Sequence, residues 1–363
     1  MKMTIKTEIQ QICKDQKLKI DFKSKTWHQQ FKDLVNWDNI SINQKLSENF
    51  IQEHKDLVNW DNISYSQKLS ESFIKEHKDL VNWYNISINQ KLSESFIQEH
   101  KDLVDWYNIS QFQKLSESFI KEYKDLVNWD NISKYQKLSE NFIQEHKDLV
   151  KWDIISYSQK LSENFIQEHK DLVNWDNISK YQKLSENFIQ EHKDLVNWYN
   201  ISINQKLSEN FIKEHKDLVS WNYISYSQKL SENFIKEHKL TIKDTNWLYK
   251  TENEKLEYIK NKTTYKILND KIGSYIIAYK GIRSDRYSKF NFQYQYLKGE
   301  SYESNCDCNQ DNENSFGLSA WSKEKATKYC NELVVKTKIY VKDIGTFVHD
   351  NNKIRCFKQK ILD

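Results

Sequence analysis

The chain is 363 residues long, 38% hydrophobic and 14% aromatic, with 55 Lys and Arg against 52 Asp and Glu. That length allows two or three domains and a substantial core, and so many aromatic residues exclude an intrinsically disordered chain. No window nears the ~18 uninterrupted apolar residues of a membrane span, and the start "MKMTIKTEIQQICKDQKLKI" lacks the apolar stretch of a secretory signal, so a soluble, unsecreted protein with no membrane partner is expected.

The five cysteines, only Cys13 of them far from the C-terminus, do not form a disulfide framework and fit a reducing compartment. Proline is absent, and the five glycines all fall between Gly273 and Gly345. This shift in composition divides the chain into an N-terminal cap segment (residues 1–30), an array (31–240) and a separate domain (241–363).

The array begins with a strict repeat. Tryptophan recurs every 23 residues from Trp37 to Trp221, nine times without insertion or loss. In the copy ending at Trp60, Phe50, His54 and Leu57 stand at i, i+4 and i+7, with Ile51 and Val58 beside them, which makes an apolar stripe on a helix from about Glu48 to Val58. Ser47, and serine at the same place in every copy through Ser231, is the expected N-cap, worth ~1 kcal/mol, with Leu46 and Ile51 as a hydrophobic staple. Asn59 caps a second helix of about two turns over "WDNISYSQ"; Lys151 is the one poor cap of that series.

Helices this short are marginal alone, and stacking covers the stripe of each by its neighbour. The expected fold is mainly α: an α-solenoid of nine 23-residue two-helix repeats, followed by a small α+β domain. A coiled coil is the rival, but serine caps interrupt its seam in every copy.

Substitutions between copies fall at the residue after each Trp, at the pair after "NIS", and at Asn/Ser and Gln/Lys sites such as Asn49 and Gln52. These positions are expected to face solvent, and Tyr84, Tyr107, Phe112, Tyr135 and Tyr199 among them form a candidate surface for a protein partner. The recurrent histidine is replaced by Tyr123 in one copy. Tyrosine keeps the flat ring and polar tip but is a poor metal ligand, so a half-buried packing role is expected. The seven Asn-Ile-Ser triplets are read as structural rather than glycosylated. The copy Asp38–Trp60 has two lysines against four carboxylates, so nucleic acid is not expected to bind through the repeats.

After "HKLTIKDTNWLYK" the period stops, and residues 241–363 carry 22 Lys and Arg against 16 Asp and Glu. "GSYIIAYKGIR", "FNFQYQYLKGESYE", "LVVKTKIYV" and "KIRCFKQKIL" read as strands, and "SKEKATKYCNEL" as a helix capped by Ser322 with Ala326, Tyr329, Cys330 and Leu333 inward. Cys306, Cys308, Cys330, His349 and Cys356 offer four thiols and an imidazole. Paired C-x₂-C knuckles are missing, so no metal or other cofactor is expected, and zinc is the alternative. P-loop, Rossmann, kinase and Ser-His-Asp patterns are also missing.

The repeat "WDNIS..QKLSENFI.EHKDLVN", the block "AYKGIRSDRYSKFNFQYQYLKGESYESNCDCN...NSFGLSAWSKEKATKYC" and the closing "KIRCFKQKIL" resemble uncharacterised repeat proteins of giant amoeba-infecting, mimivirus-like DNA viruses. Their C-terminal domains have no known function, so the resemblance implies a viral origin and no activity. Lys280 before Gly281, Ser319 in "GLSAWS" and Glu332 loosely resemble ADP-ribosyltransferases, in which an Arg or His, a Ser and a Glu on successive elements hold a nicotinamide dinucleotide. Lysine departs from that pattern at the first position, and no Glu-x-Glu or Gln-x-Glu follows. The expected function is a non-enzymatic protein–protein interaction scaffold for a host or viral protein, in host cytoplasm or virion. The alternative is an ADP-ribosyltransferase-like enzyme with the repeats for targeting.

Overall fold

The computed structural model describes residues 4–240, 247–288, 294–304, 306–308, 310, 317–330 and 332–363. It divides into two compact units, Met1–Leu138 and Ser139–Asp363. The division falls inside the array, and the boundary expected at Thr241 lies outside the described residues.

In both units the 23-residue period is a pair of short helices, such as Trp60–Ser66 with Glu71–Glu76, continuing to Trp221–Ser227 with Glu232–Glu237. The serine caps form in every copy: each hydroxyl accepts the amide of the phenylalanine three residues on, at 3.2 Å for Ser47, Ser116 and Ser231 alike. Asn59 likewise accepts the Asn62 amide at 3.0 Å. Lys151 makes no side-chain cap, as expected, but neither does Ser220, so the second series has two weak caps rather than one.

The second helix of each pair is shorter than the stripe predicts, ending at Glu53 instead of Val58. His54 stops it. Its amide is shared between the carbonyls of Phe50 and Ile51 at 3.1 and 3.2 Å, its ring Nδ1 also meets the Phe50 carbonyl at 2.9 Å, and the Leu57 and Val58 amides both return to the His54 carbonyl. The tight turn keeps Val58 in the core and puts Leu57 on the surface at 40% exposure, so Leu57 is not part of the buried stripe.

The histidines pack in aromatic stacks. Trp60 lies 5.1 Å from His77, which lies 4.2 Å from Phe73, and Tyr123 fills the same place with centroid distances of 5.3 Å to Trp106 and 4.6 Å to Phe119. The serine of the Asn-Ile-Ser triplet is buried as well. The Ser41 hydroxyl donates to the Trp37 carbonyl at 2.6 Å and accepts the amide of Asn59, the next cap, at 3.0 Å.

Successive pairs are joined by a side chain that sequence reading passed over. Gln67 is buried, and its Oε1 accepts the Leu46 amide at 2.9 Å while its Nε2 donates to the carbonyls of Ser41 and Gln44 at 2.9 and 2.7 Å, all three in the preceding pair. Gln90 and Gln113 repeat this in the first unit, and Gln182, Gln205 and Gln228 in the second. A carboxylate adds a second link: Glu48 accepts the Ser70 amide of the following pair, and the equivalent Glu71 accepts both the amide and the hydroxyl of Ser93.

Each unit closes its outer end by imitation. No repeat precedes Ser47, so Glu8, on the capped helix Ile5–Asp15, takes the place of the repeat glutamate and accepts the Ser47 amide at 2.7 Å and hydroxyl at 2.6 Å. In the second unit Tyr249 stands in for the missing next glutamine. Its hydroxyl donates to the Gln228 carbonyl at 3.3 Å and accepts from the Leu230 amide.

The residues after 247 form a 3-10 turn, the helix Glu252–Lys262 opened by a Thr251–Glu254 capping box, and an antiparallel eight-stranded sheet. Its strands are β1 (Leu268–Asn269), β2 (Ser274–Ile282), β3 (Ser301–Glu303), β4 (Leu318–Trp321), β5 (Leu333–Tyr340), β6 (Ile344–Val348), β7 (Lys353–Cys356) and β8 (Lys358–Ile361). The order is β3-β8-β5-β2-β4-β7-β6, with β1 also on β2. Pairing of β2 with β5 runs from Tyr275–Tyr340 to Ile282–Leu333, whereas β2 meets β4 only at Tyr279–Trp321.

Two expected strands, β2 and β5, are found nearly as read. "KIRCFKQKIL" breaks at Phe357, whose amide goes to the Asp343 carbonyl, and its halves join different neighbours. Of "FNFQYQYLKGESYE", residues 290–293 lie outside the described residues, and the rest supplies only a bridge at Gln295 and β3. β4, β6 and the helix Glu252–Lys262 were not anticipated. The expected helix is Lys323–Tyr329; Ser322 precedes it, but its hydroxyl caps no amide, and Leu333 belongs to β5. Among the described residues no helix is long and apolar enough to cross a membrane.

The glutamine contacts make a direct prediction. Gln113→Leu keeps the volume but leaves the Leu92 amide and the Ser87 and Gln90 carbonyls without their buried partner. At about 1–3 kcal/mol for an orphaned group, urea denaturation should show a loss of several kcal/mol. Gln52→Leu, at an exposed site, should stay within about 0.5 kcal/mol of the parent.

Candidate functional site

Four of the five proposed surface aromatics are exposed: Tyr84 (58%), Tyr107, Phe112 and Tyr199. Tyr135 is half-buried, with the Lys134 ammonium 5.1 Å from its ring centroid. They do not line up as one row. Tyr84, Tyr107 and Tyr199 open the first helix of their pairs, whereas Phe112 and Tyr135 close theirs. The Tyr199 ring meets Tyr223 edge-on at 4.7 Å, with the two hydroxyls 2.9 Å apart.

A more regular feature was missed because it was assigned to the core. The turn that ends the second helix exposes one leucine in eight of the nine pairs: Leu57, Leu80, Leu103 and Leu126 in the first unit, and Leu149, Leu172, Leu195 and Leu218 in the second, all between 40% and 47%; in the last pair Thr241 holds that position, outside the described residues. The leucine is identical in those eight copies, while the aromatic positions vary. The exposed tripeptide Lys-Asp-Leu is shared by all of them, so the apolar tip is flanked by one charge of each sign.

In the C-terminal domain the sheet brings two of the three transferase-like residues together. Lys280, on β2, is buried, and its Nζ donates to the backbone carbonyl of Ser319 on β4 at 2.8 Å, with the Tyr296 ring centroid 4.6 Å away. The Ser319 hydroxyl is not the atom it meets. Glu332 lies apart, exposed, with its carboxylate accepting the Ser284 amide at 2.9 Å. Gly281 has a steric role. A Cβ there would come within 2.4 Å of the Ala326 carbonyl, so only glycine lets the helix Lys323–Tyr329 lie this close to β2.

The cysteines disperse into the core. Cys306, Cys308 and Cys356 belong to one apolar cluster with Trp247, Ile276 and Phe347, and Cys306 packs so tightly on Gly345 that a Cβ there would sit 2.2 Å from its sulfur. Burial pushes the Cys306 and Cys356 thiols up, Cys356 to about 12. Cys330 is directed to the Ile282 carbonyl at 3.2 Å, and the His349 ring packs on Trp321. Among the described residues no three His, Cys, Asp or Glu side chains are grouped to hold a metal ion. Asp307, between two of the cysteines, faces the fully buried Arg355 at 3.5 Å.

No family model, curated protein or solved structure matches this chain.

Two predictions follow from these burials. Desolvation lowers the Lys280 amine from 10.5 to about 8. Because the folded value is the lower one, the unfolded chain holds the extra proton across that window. Stability rises from about pH 8 to 10.5 and is lost as pH falls through 8. Lys280→Met should flatten that rise in a pH-resolved urea series, and identical slopes in the two proteins would contradict the burial. All five thiols are free and buried, so an aromatic disulfide reagent should label none rapidly in native protein and all five after unfolding.

Proposed function

We propose that this chain is a non-enzymatic protein–protein interaction scaffold, an α-solenoid of nine helical repeats that presents a periodic apolar surface to a protein partner. The carrying observation is the leucine exposed at the same turn of eight of the nine pairs. An isolated exposed leucine needs no explanation, but one repeated with each layer gives a partner a ladder of equivalent anchors. The variable aromatics Tyr84, Tyr107, Phe112 and Tyr199 then supply differences between layers, with Tyr135 a partial contributor.

The resemblance to giant-virus repeat proteins makes a host or viral protein the partner, met in host cytoplasm or the virion. Within the C-terminal domain, the Lys280 amine is spent on the Ser319 backbone carbonyl and the Glu332 carboxylate on the Ser284 amide, which favours the scaffold over the enzyme. Affinity capture from infected amoebae with the full chain, compared with Leu57→Ser/Leu80→Ser/Leu103→Ser, tests this. Those side chains are exposed, so the variant should fold with an unchanged circular dichroism spectrum and lose the captured protein. Equal capture by both proteins would sink the proposal.

A further inference from the structure

The second unit contains a cleft of about 1120 Å³ between the last repeat pairs and the C-terminal domain. One wall is built by repetition: the loop joining the two helices of each pair carries Gln-Lys-Leu, and Lys183, Lys206 and Lys229 from three successive pairs line the cleft. The facing wall brings Lys250 and Lys342. None of these five lysines has a carboxylate at ion-pair distance among the described residues.

In all, eight lysines and three carboxylates line the space. Glu303 is already bound by Lys358, and Glu252 and Asp343 are the remaining acids. Lys255 is 5% exposed, and its Nζ is bound inward to the Ile344 carbonyl at 2.7 Å, so it is not one of the cleft's open lysines. Like charges held around one recess repel each other and raise the local concentration of anions. Tyr181, Tyr294 and Phe357 stand among the lysines; Tyr181 is exposed, and Tyr294 and Phe357 are half-buried against the core.

We propose that this cleft binds single-stranded nucleic acid, the lysines tracking the phosphodiester backbone and the aromatic rings stacking with bases. An acidic protein segment would use the charge but gives no role to the rings, whereas charge with interleaved aromatic faces is what single strands require. The acidic average of the repeats does not oppose this. Their lysines at the Gln-Lys-Leu loops are set apart along the chain from Glu53, Lys55 and Asp56 at the other turn, and the glutamates three residues after Lys183, Lys206 and Lys229 are not among the residues that line the cleft.

The test uses the full chain and fluorescein-labelled fifteen-residue oligothymidylate and oligouridylate, followed by anisotropy between about 50 and 200 mM salt. Saturable binding should weaken with salt with a log–log slope of roughly −2 to −4, from three to five phosphate contacts at about −0.7 each. Lys183→Glu/Lys206→Glu/Lys229→Glu should cost at least tenfold, and Lys250→Glu/Lys342→Glu, from the facing wall, a similar factor. The same lysine in the first unit is an internal control, so Lys68→Glu/Lys91→Glu/Lys114→Glu should change affinity less than twofold. Tyr181→Ala should cost several-fold for the oligonucleotides and nothing for inorganic polyphosphate. A preference for uridylate over thymidylate identifies RNA as the source, and the reverse identifies DNA. No saturable binding at the lowest salt, equal losses from both lysine triples, or equal affinity for polyglutamate would overturn the proposal.

Discussion

The buried glutamine amide between successive helix pairs is the contact on which the array depends. Helices of six and seven residues leave most of their terminal amides and carbonyls without an intrahelical partner. Such groups are costly when a layer of the next repeat covers them. One primary amide has an acceptor and two donors, and Gln67 places them on an amide and two carbonyls of the loop beneath it. The loops can then be tight and glycine-free, and the apolar residues Ile40, Phe50 and Ile63 can close over a satisfied backbone.

Because the contact runs from one layer to the next, an array of such pairs has two ends at which it is incomplete. Both are answered by residues outside the repeat. Glu8 supplies the carboxylate that the first serine cap lacks, and the Tyr249 hydroxyl supplies donor and acceptor where the next glutamine would be. The second solution has a structural consequence, since Tyr249 belongs to the C-terminal domain. Tyr249 ties the last layer to that domain, and the lysine-lined cleft lies between the two.

Polar chemistry in the C-terminal domain is directed inward. The amine of Lys280, the ammonium of Lys255 and the thiol of Cys330 each end on a backbone carbonyl, and Asp307 faces Arg355 inside the core. Side chains that look reactive as letters are here the partners of strand edges and turns. What remains outside is leucine tips on one turn of the repeat and lysines on the other.

Much was legible in the sequence, because the repeat compares itself nine times. Period, helix pairing and the serine caps follow from local rules about spacing and capping, and they hold in the structure; the histidine, read as a half-buried packing residue, is buried in its aromatic stack. Strands β2 and β5 were legible from their β-branched and aromatic residues. What the tertiary structure alone decided are the contacts made across chain separation. His54 ends its helix by closing on Phe50, which moves Leu57 from core to surface; Gln67 finds its three partners more than twenty residues away; β7 and β8 part at Phe357 because their pairing partners lie on different sides. Spacing along a helix tells which side chains share a face, but whether a face is covered, and by which polar atoms, depends on the layer above it.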